Sequence, residues 1–143
     1  MPMATNVQCS LDTNILIYAA DDAEPVKQAV AQKLIRLAFE HSWSICSQVY
    51  GEFFNAVVRR QRATRAQASV QIASWQRLLP PISSSTDAHA QALKLATTHQ
   101  IQYWDALIIA TCAEHGITRL YSEDLPGIKQ PFGVRCIDPF KAK

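Results

Sequence analysis

The sequence predicts an α/β domain with a short, mainly parallel sheet flanked by helices on both faces. Three observations carry that expectation. Short apolar stretches of strand character alternate with longer helical patterns along the chain, the order that right-handed crossovers into a parallel sheet produce. The 143 residues are 48% hydrophobic and 18% charged, the composition of one ordinary domain with its own core. No repeat, linker or low-complexity tract divides the chain, so residues 1–143 are expected to form a single domain.

The elements follow in order. "VQCSL" (7–11) reads as a strand and "TNILIYAA" (13–20) as the start of a helix. "PVKQAVAQKLIRLAFEH" (25–41) is a helix opened by Pro25, with Val26, Val30, Leu34 and Leu37 on one stripe. "WSICS" (43–47) is a second strand, and "QVYGEFFNAVVRRQ" (48–61) and "RAQASVQIASWQRLL" (65–79) are helices, the latter stopped by Pro80 and Pro81. Ser83, Ser84 and Ser85 read as a polar linker. "TDAHAQALKLATTHQ" (86–100) and "YWDALIIATCAEHG" (103–116) are two more helices, the last closed by Gly116 as a left-handed cap. "TRLYS" (118–122) and "VRCID" (134–138) complete the strands.

Composition excludes several classes. The opening residues lack a basic start followed by a long apolar run, and no segment approaches the roughly 20 apolar residues of a membrane span, which predicts a soluble, cytoplasmic protein. Cys9, Cys46, Cys112 and Cys136 are scattered, without paired spacing, and read as buried free thiols. The four glycines are ungrouped, so no phosphate-cradling loop is present, and no Gly-x-Ser-x-Gly turn marks a serine nucleophile. His41, His89, His99 and His115 are dispersed, the last two near helix ends where a cation suits the dipole. The net charge of +2 carries no nucleic-acid signature, but its distribution is uneven. Between Phe53 and Thr86 there is no acid, while Arg59, Arg60, Arg62, Arg65 and Arg77 all fall there, a stretch that reads either as a solvated helix face or as a phosphate-binding one.

Four acids stand out. Asp12 lies where the first strand ends and a helix begins, and Asp124 follows the strand "TRLYS" in the same way. Ligand sites of open parallel sheets form at the carboxyl ends of strands. Glu52 in "VYGEFFNAVV" and Asp105 in "YWDALIIATCA" are isolated acids in apolar surroundings, where an unpaired carboxylate is costly to bury. Each has a structural explanation too: Asp12 as a helix cap, Asp105 as a first-turn dipole partner, Glu52 as an exposed position, Asp124 as a turn residue before Pro126. Gathered at one sheet edge, they would repel unless protonated or bridged by a cation, and hard oxygen donors without a Cys or His cluster favour magnesium or manganese.

The segments "LDTNILIYA", "SQVYGEFFNAVVRR", "YWDALIIATCAEHG" and "LYSEDL" followed by "GVRCIDPF" resemble, in this order and over nearly the whole chain, a PIN domain, specifically the VapC-like toxin ribonucleases of type II toxin–antitoxin pairs. The resemblance implies a three-layer α/β/α fold and an endoribonuclease dependent on Mg2+ or Mn2+. It makes Asp12, Glu52, Asp105 and Asp124 the metal-binding, catalytic acids, and Thr13 and Asn14 the polar pair that orients the site. Ser122 stands where Thr or Ser is usual, and Glu123 beside Asp124 leaves two choices for the fourth carboxylate. It further implies a cognate antitoxin and a homodimer, the latter also favoured by more apolar helix surface than one small sheet covers. Hydrolysis carried out by such a site leaves a 5′-phosphate and a 3′-hydroxyl. Arg59, Arg60 and Arg62 are candidates to hold the RNA backbone, and Tyr103, Trp75 and Trp104 either stack bases or pack in the core.

Two other classes compete. A phosphatase or phosphotransferase would use Asp12 as nucleophile, but Asn14 stands where a second Asp two residues on would help it. A non-catalytic RNA- or protein-binding member of the fold would not need all four acids.

Overall fold

Strands of only two or three residues and helices of eight to seventeen make up the computed structural model, which describes residues 7–125 and 130–141. The order is β1 (Cys9–Leu11), α1 (Thr13–Ala20), α2 (Pro25–His41), β2 (Ile45–Cys46), α3 (Ser47–Arg59), α4 (Arg65–Leu78), β3 (Pro81–Ile82), α5 (Thr86–Thr98), α6 (Tyr103–Glu114), β4 (Arg119–Tyr121) and β5 (Arg135–Ile137), with a 3-10 turn at Pro131–Gly133 before β5. Every described pairing is parallel. β4 lies between β1 and β5, with Leu11 opposite Tyr121 and Leu120 opposite Cys136, and β2 pairs with β3. The buried Ser10 hydroxyl donates to the Ser44 carbonyl at 2.7 Å and ties the two sheets together.

The helices divide into two packed groups. α1 packs on α2 and α3, and α3 on α4; α5 and α6 pack on each other. α6 is apolar on every side, and Ala106 to Cys112 are all buried, as expected of a helix in the middle of a core. α3 buries one stripe, Val49, Tyr50, Phe53, Ala56 and Val57, and leaves the rest to solvent or to the site. Phe53 meets Trp75 of α4 edge to face at 5.0 Å. Asp12 caps α1, a full capping box of Thr64 and Gln67 opens α4, and Gly116 at φ +71 closes α6.

The expected fold class stands, with local corrections. On α2 the buried face is Ala31, Leu34, Ile35 and Ala38, while Val26 is 80% exposed, so the expected stripe had the wrong phase. The tract after Pro80 is not only linker: Pro81 and Ile82 form β3, where a parallel edge strand tolerates a residue without an N–H. Trp75 is core, but Trp104 is 57% exposed. Cys9, Cys46 and Cys112 are buried and Cys136 half-buried, all as free thiols. Pro126 and Gly127 of the loop after β4 lie outside the described residues. No described helix is long and apolar enough to cross a membrane.

Tyr50 gives a direct test of the packing between α3 and the end of α4. Its buried hydroxyl donates to the Leu79 carbonyl at 2.7 Å. Tyr50→Phe should therefore lower stability by about 1–2 kcal/mol, read as a fall of a few degrees in the melting temperature, because it strands that carbonyl. An unchanged melting temperature would contradict the contact.

Candidate active site

The parallel sheet brings two chain segments side by side at its carboxyl edge. The β1–β4 ladder extends one residue beyond the strands, with Asp12 N donating to Tyr121 O at 2.9 Å, and the β4–β5 ladder extends likewise, with Ser122 N donating to Ile137 O at 2.9 Å. Asp12 and Ser122 are thereby neighbours, and the Ser122 hydroxyl donates to Asp12 Oδ2 at 2.7 Å. The other oxygen, Oδ1, accepts from Thr13 N at 2.7 Å. Asp12 is only 6% exposed, and burial raises its proton affinity. The bonds from Ser122 and Thr13 oppose that rise, and the charges of Glu52 and Asp124 add to it. The capping expectation for Asp12 is thus correct as geometry, yet capping leaves unexplained why three further acids face it.

Glu52 comes from α3, where Thr13 Oγ1 donates to its Oε1 at 2.6 Å and Gln48 Nε2 to its Oε2 at 2.9 Å. Asp105 stands in the first turn of α6, as the dipole argument expects. Burial first, then the charges of Asp12, Glu52 and Asp124, push its carboxyl up to about 6, and no hydrogen bond from the described residues opposes the rise. Asn14 organises the last acids: its Nδ2 donates to Ser122 Oγ at 3.2 Å and to Asp124 Oδ2 at 3.3 Å, and its Oδ1 accepts from Glu123 N at 3.2 Å. Glu123 turns to other partners, Tyr18 Oη at 2.6 Å and the Lys27 ammonium. Burial pushes its carboxyl up, but those two bonds outweigh it and hold the group below the usual glutamate range.

All these acids line one cavity of about 960 Å3, together with Thr13, Asn14, Tyr18, Asn55 and the arginines Arg59, Arg60 and Arg62. Arg65 and Arg77 do not reach it. Glu52 and Arg59 are seven residues apart on α3, roughly 10 Å along one face, so Arg59 stands beyond the acids in a cavity that Asp21 and Glu24 also line. Arg62 also pairs with Asp21 at 3.4 Å. Among the described residues, no three Asp, Glu, His or Cys side chains converge into a ready-made metal cage. The donor set nevertheless suits magnesium or manganese, which keep several waters and need only one or two carboxylates directly. Asp105, raised by burial and then by its acidic neighbours and without a hydrogen bond among the described residues, is the group that a cation would relieve most.

Gln48, Tyr18 and Lys27 escaped the sequence reading. Gln48 leaves a weak trace, since a Gln four residues before a Glu places the two on one helix face. Lys27 and Glu123 are 96 residues apart, and nothing local announces their pairing.

The Asp105 shift has a sign that can be tested in chelator. Because its folded value lies near 6 and its ordinary value is 3.8, the native state holds more protons than the unfolded chain between about pH 4 and 6. This group's contribution therefore loses stability as pH rises through that window. Asp105→Asn cannot lose a proton, so its melting temperature relative to wild type should climb from pH 4 to pH 7; a difference that stays flat would contradict the crowding.

Comparison with known proteins agrees with this fold. No curated protein sequence matches the chain. Among solved structures, VapC20 of Mycobacterium tuberculosis, described as a Sarcin-Ricin loop cleaving toxin, superposes with a TM-score of 0.63 at 16% identity, covering 79% of this chain and 87% of that one. VapBC2 from Rickettsia felis, bound to a DNA fragment from its promoter, gives 0.68 at 18% identity, covering 90% and 96%. A toxin–antitoxin complex from Klebsiella pneumoniae gives 0.61 at 19% identity, covering 94% and 100%. These likenesses establish a shared fold. The PIN domain profile matches residues 10–125, a span that runs from β1 through Asp124 and contains all four acids, and the chain belongs to the PIN domain family.

Proposed function

We propose that this chain is an endoribonuclease dependent on Mg2+ or Mn2+, with Asp12, Glu52, Asp105 and Asp124 as its metal-binding acids, acting as one domain over residues 1–143. The observation that carries the reading is the shared cavity: the acid after β1, those of α3 and α6 and the one in the loop after β4 all line it, and arginines line it too. Burial and then the neighbouring charges raise the proton affinity of Asp12 and Asp105. Four crowded acids repel a phosphodiester unless a cation neutralises them. A bound divalent ion supplies that neutralisation and lowers the pKa of the attacking water.

The chain's own residues have distinct tasks. Asp12, fixed by Thr13 N and Ser122 Oγ, is the most rigid ligand, and Asp105, whose oxygens accept no hydrogen bond from the described residues, is the most available. Asp124 rather than Glu123 is the fourth acid, because Glu123 is held by Lys27 and Tyr18, while Asp124 accepts from Asn14 and its charge acts on Asp12 and Asp105. Thr13 orients Glu52, and Asn14 and Ser122 orient Asp124 and Asp12. With the scissile phosphate at the acids, Arg59, Arg60 and Arg62 lie where neighbouring phosphates of the same strand pass, giving affinity without sequence choice.

We also propose that it is the toxin of a toxin–antitoxin pair, working in the cytoplasm as a homodimer, with an antitoxin peptide laid across the acidic cavity and an arginine set against the carboxylates. VapBC2 of Rickettsia felis and the toxin–antitoxin complex of Klebsiella pneumoniae among its structural neighbours support that role. A nucleophilic Asp12 is disfavoured, since both its oxygens already accept hydrogen bonds.

Cleavage of single-stranded RNA should require Mg2+ or Mn2+ and stop with chelator, and Asp12→Asn or Asp105→Asn should slow it by at least about 100-fold, ~2.7 kcal/mol in the barrier. Cleavage that survives chelation would sink the metal mechanism. Arg59→Ala and Arg60→Ala should each weaken RNA binding across sequences and flatten its salt dependence by about one unit of slope; an unchanged slope would remove them from the RNA path.

A further inference from the structure

One amide joins the two helices that each bring an acid to the cavity. Gln48 lies one turn before Glu52 on α3, and its Nε2 donates to Glu52 Oε2 at 2.9 Å and to the Trp104 carbonyl at 3.0 Å. Trp104 immediately precedes Asp105 in the first turn of α6. Both partners are acceptors, which fixes the amide orientation: turning it over would set its own oxygen against them. That orientation has a cost. Gln48 Oε1 is buried and has no hydrogen-bond partner among the described residues. An unpaired buried carbonyl destabilises a fold, whereas an apolar side chain of similar length would not. A Gln whose Oε1 is left unpaired while its Nε2 serves two acceptors points to a task for its donor group.

We infer that Gln48 is a positioning residue that sets the spacing between the Glu52 and Asp105 carboxylates, and through it the affinity for the divalent cation. The inference rests on the proposed cation site. Glu52 is held on both sides, Oε1 by Thr13 and Oε2 by Gln48, so its carboxylate cannot rotate freely. The second bond of the same Nε2 ties this fixed group to the α6 backbone one residue from Asp105. Gln48 does not line the cavity, so it acts through Glu52 and α6 and not on the substrate. Groups that orient metal-binding side chains in this way commonly change affinity when removed.

The test uses Gln48→Met, which keeps the length of the side chain but removes both the donor and the unpaired oxygen, and Gln48→Ala, which removes the side chain at a helix position where alanine is favourable. Mn2+ binding is measured without RNA, from the electron paramagnetic resonance signal of the free ion, and thermal unfolding is measured in chelator. The expected result is a dissociation constant for Mn2+ raised by about ten-fold or more in both variants, with the metal-free melting temperature of Gln48→Met close to that of wild type, because removing the unpaired Oε1 offsets the loss of the two donated bonds. A purely structural Gln48 would show the reverse, a lower melting temperature and unchanged Mn2+ binding, and this overturns the inference. Should Gln48→Met not fold, Gln48→Ala decides by the same Mn2+ criterion. A wild-type chain that binds no Mn2+ removes the cation site and the inference together; a wild type that binds, beside variants that bind equally well, removes the inference alone.

Discussion

Mutual repulsion among carboxylates at the carboxyl edge of the sheet is the constraint on which the rest of the site depends. Asp12 is buried, Asp105 is pushed up to about 6, and each feels the charge of Glu52 and Asp124. Folding alone gains nothing from such a cluster, because desolvation and like charge both disfavour it. The parallel topology forces part of it: with β1 and β4 adjacent and in register, whatever follows Leu11 and Tyr121 must meet. α3 and α6 add one acid each from opposite helix groups.

The surrounding polar residues make sense as responses to that repulsion. Ser122, Thr13 N, Thr13 Oγ1, Gln48 and Asn14 each give a hydrogen bond to a carboxylate oxygen, and Lys27 takes Glu123 out of the cluster. Tyr18 belongs to the same device. Its ring carries the Lys27 ammonium at 4.8 Å and meets Phe140 edge to face at 5.0 Å, so α1, α2 and the segment after β5 all brace the loop after β4. Among the four acids, Asp105 receives no such support from the described residues, which makes it the point where an added cation has most to offer.

The acids were legible in the sequence because each interrupts an apolar pattern or follows a strand directly, and such placements are rare without a purpose. The bounds of α1 and α2 were legible for a related reason: Asp12 and Pro25 are strong start signals. The buried face of α2 was not, because alanines at 31 and 38 carry much of it, and the larger Val26 drew the stripe to the wrong phase. β3 was hidden by its proline, which reads as a breaker until a neighbouring strand is known. Trp104 sits in an apolar run yet faces solvent, since α6 buries itself from Ala106 onward. The choice between Glu123 and Asp124 was undecidable locally; in the structure Lys27, far away in the chain, pairs with Glu123, while Asn14 donates to Asp124.

The central claim is that these carboxylates form one divalent-cation site. Crystals grown with Mn2+ and measured at an X-ray energy where manganese scatters anomalously test it without reference to activity. The account predicts an anomalous peak in the cavity, within about 2–2.5 Å of carboxylate oxygens from Asp12 and Asp105. A cavity with no peak at saturating Mn2+, or manganese bound only at sites away from these two residues, would contradict it.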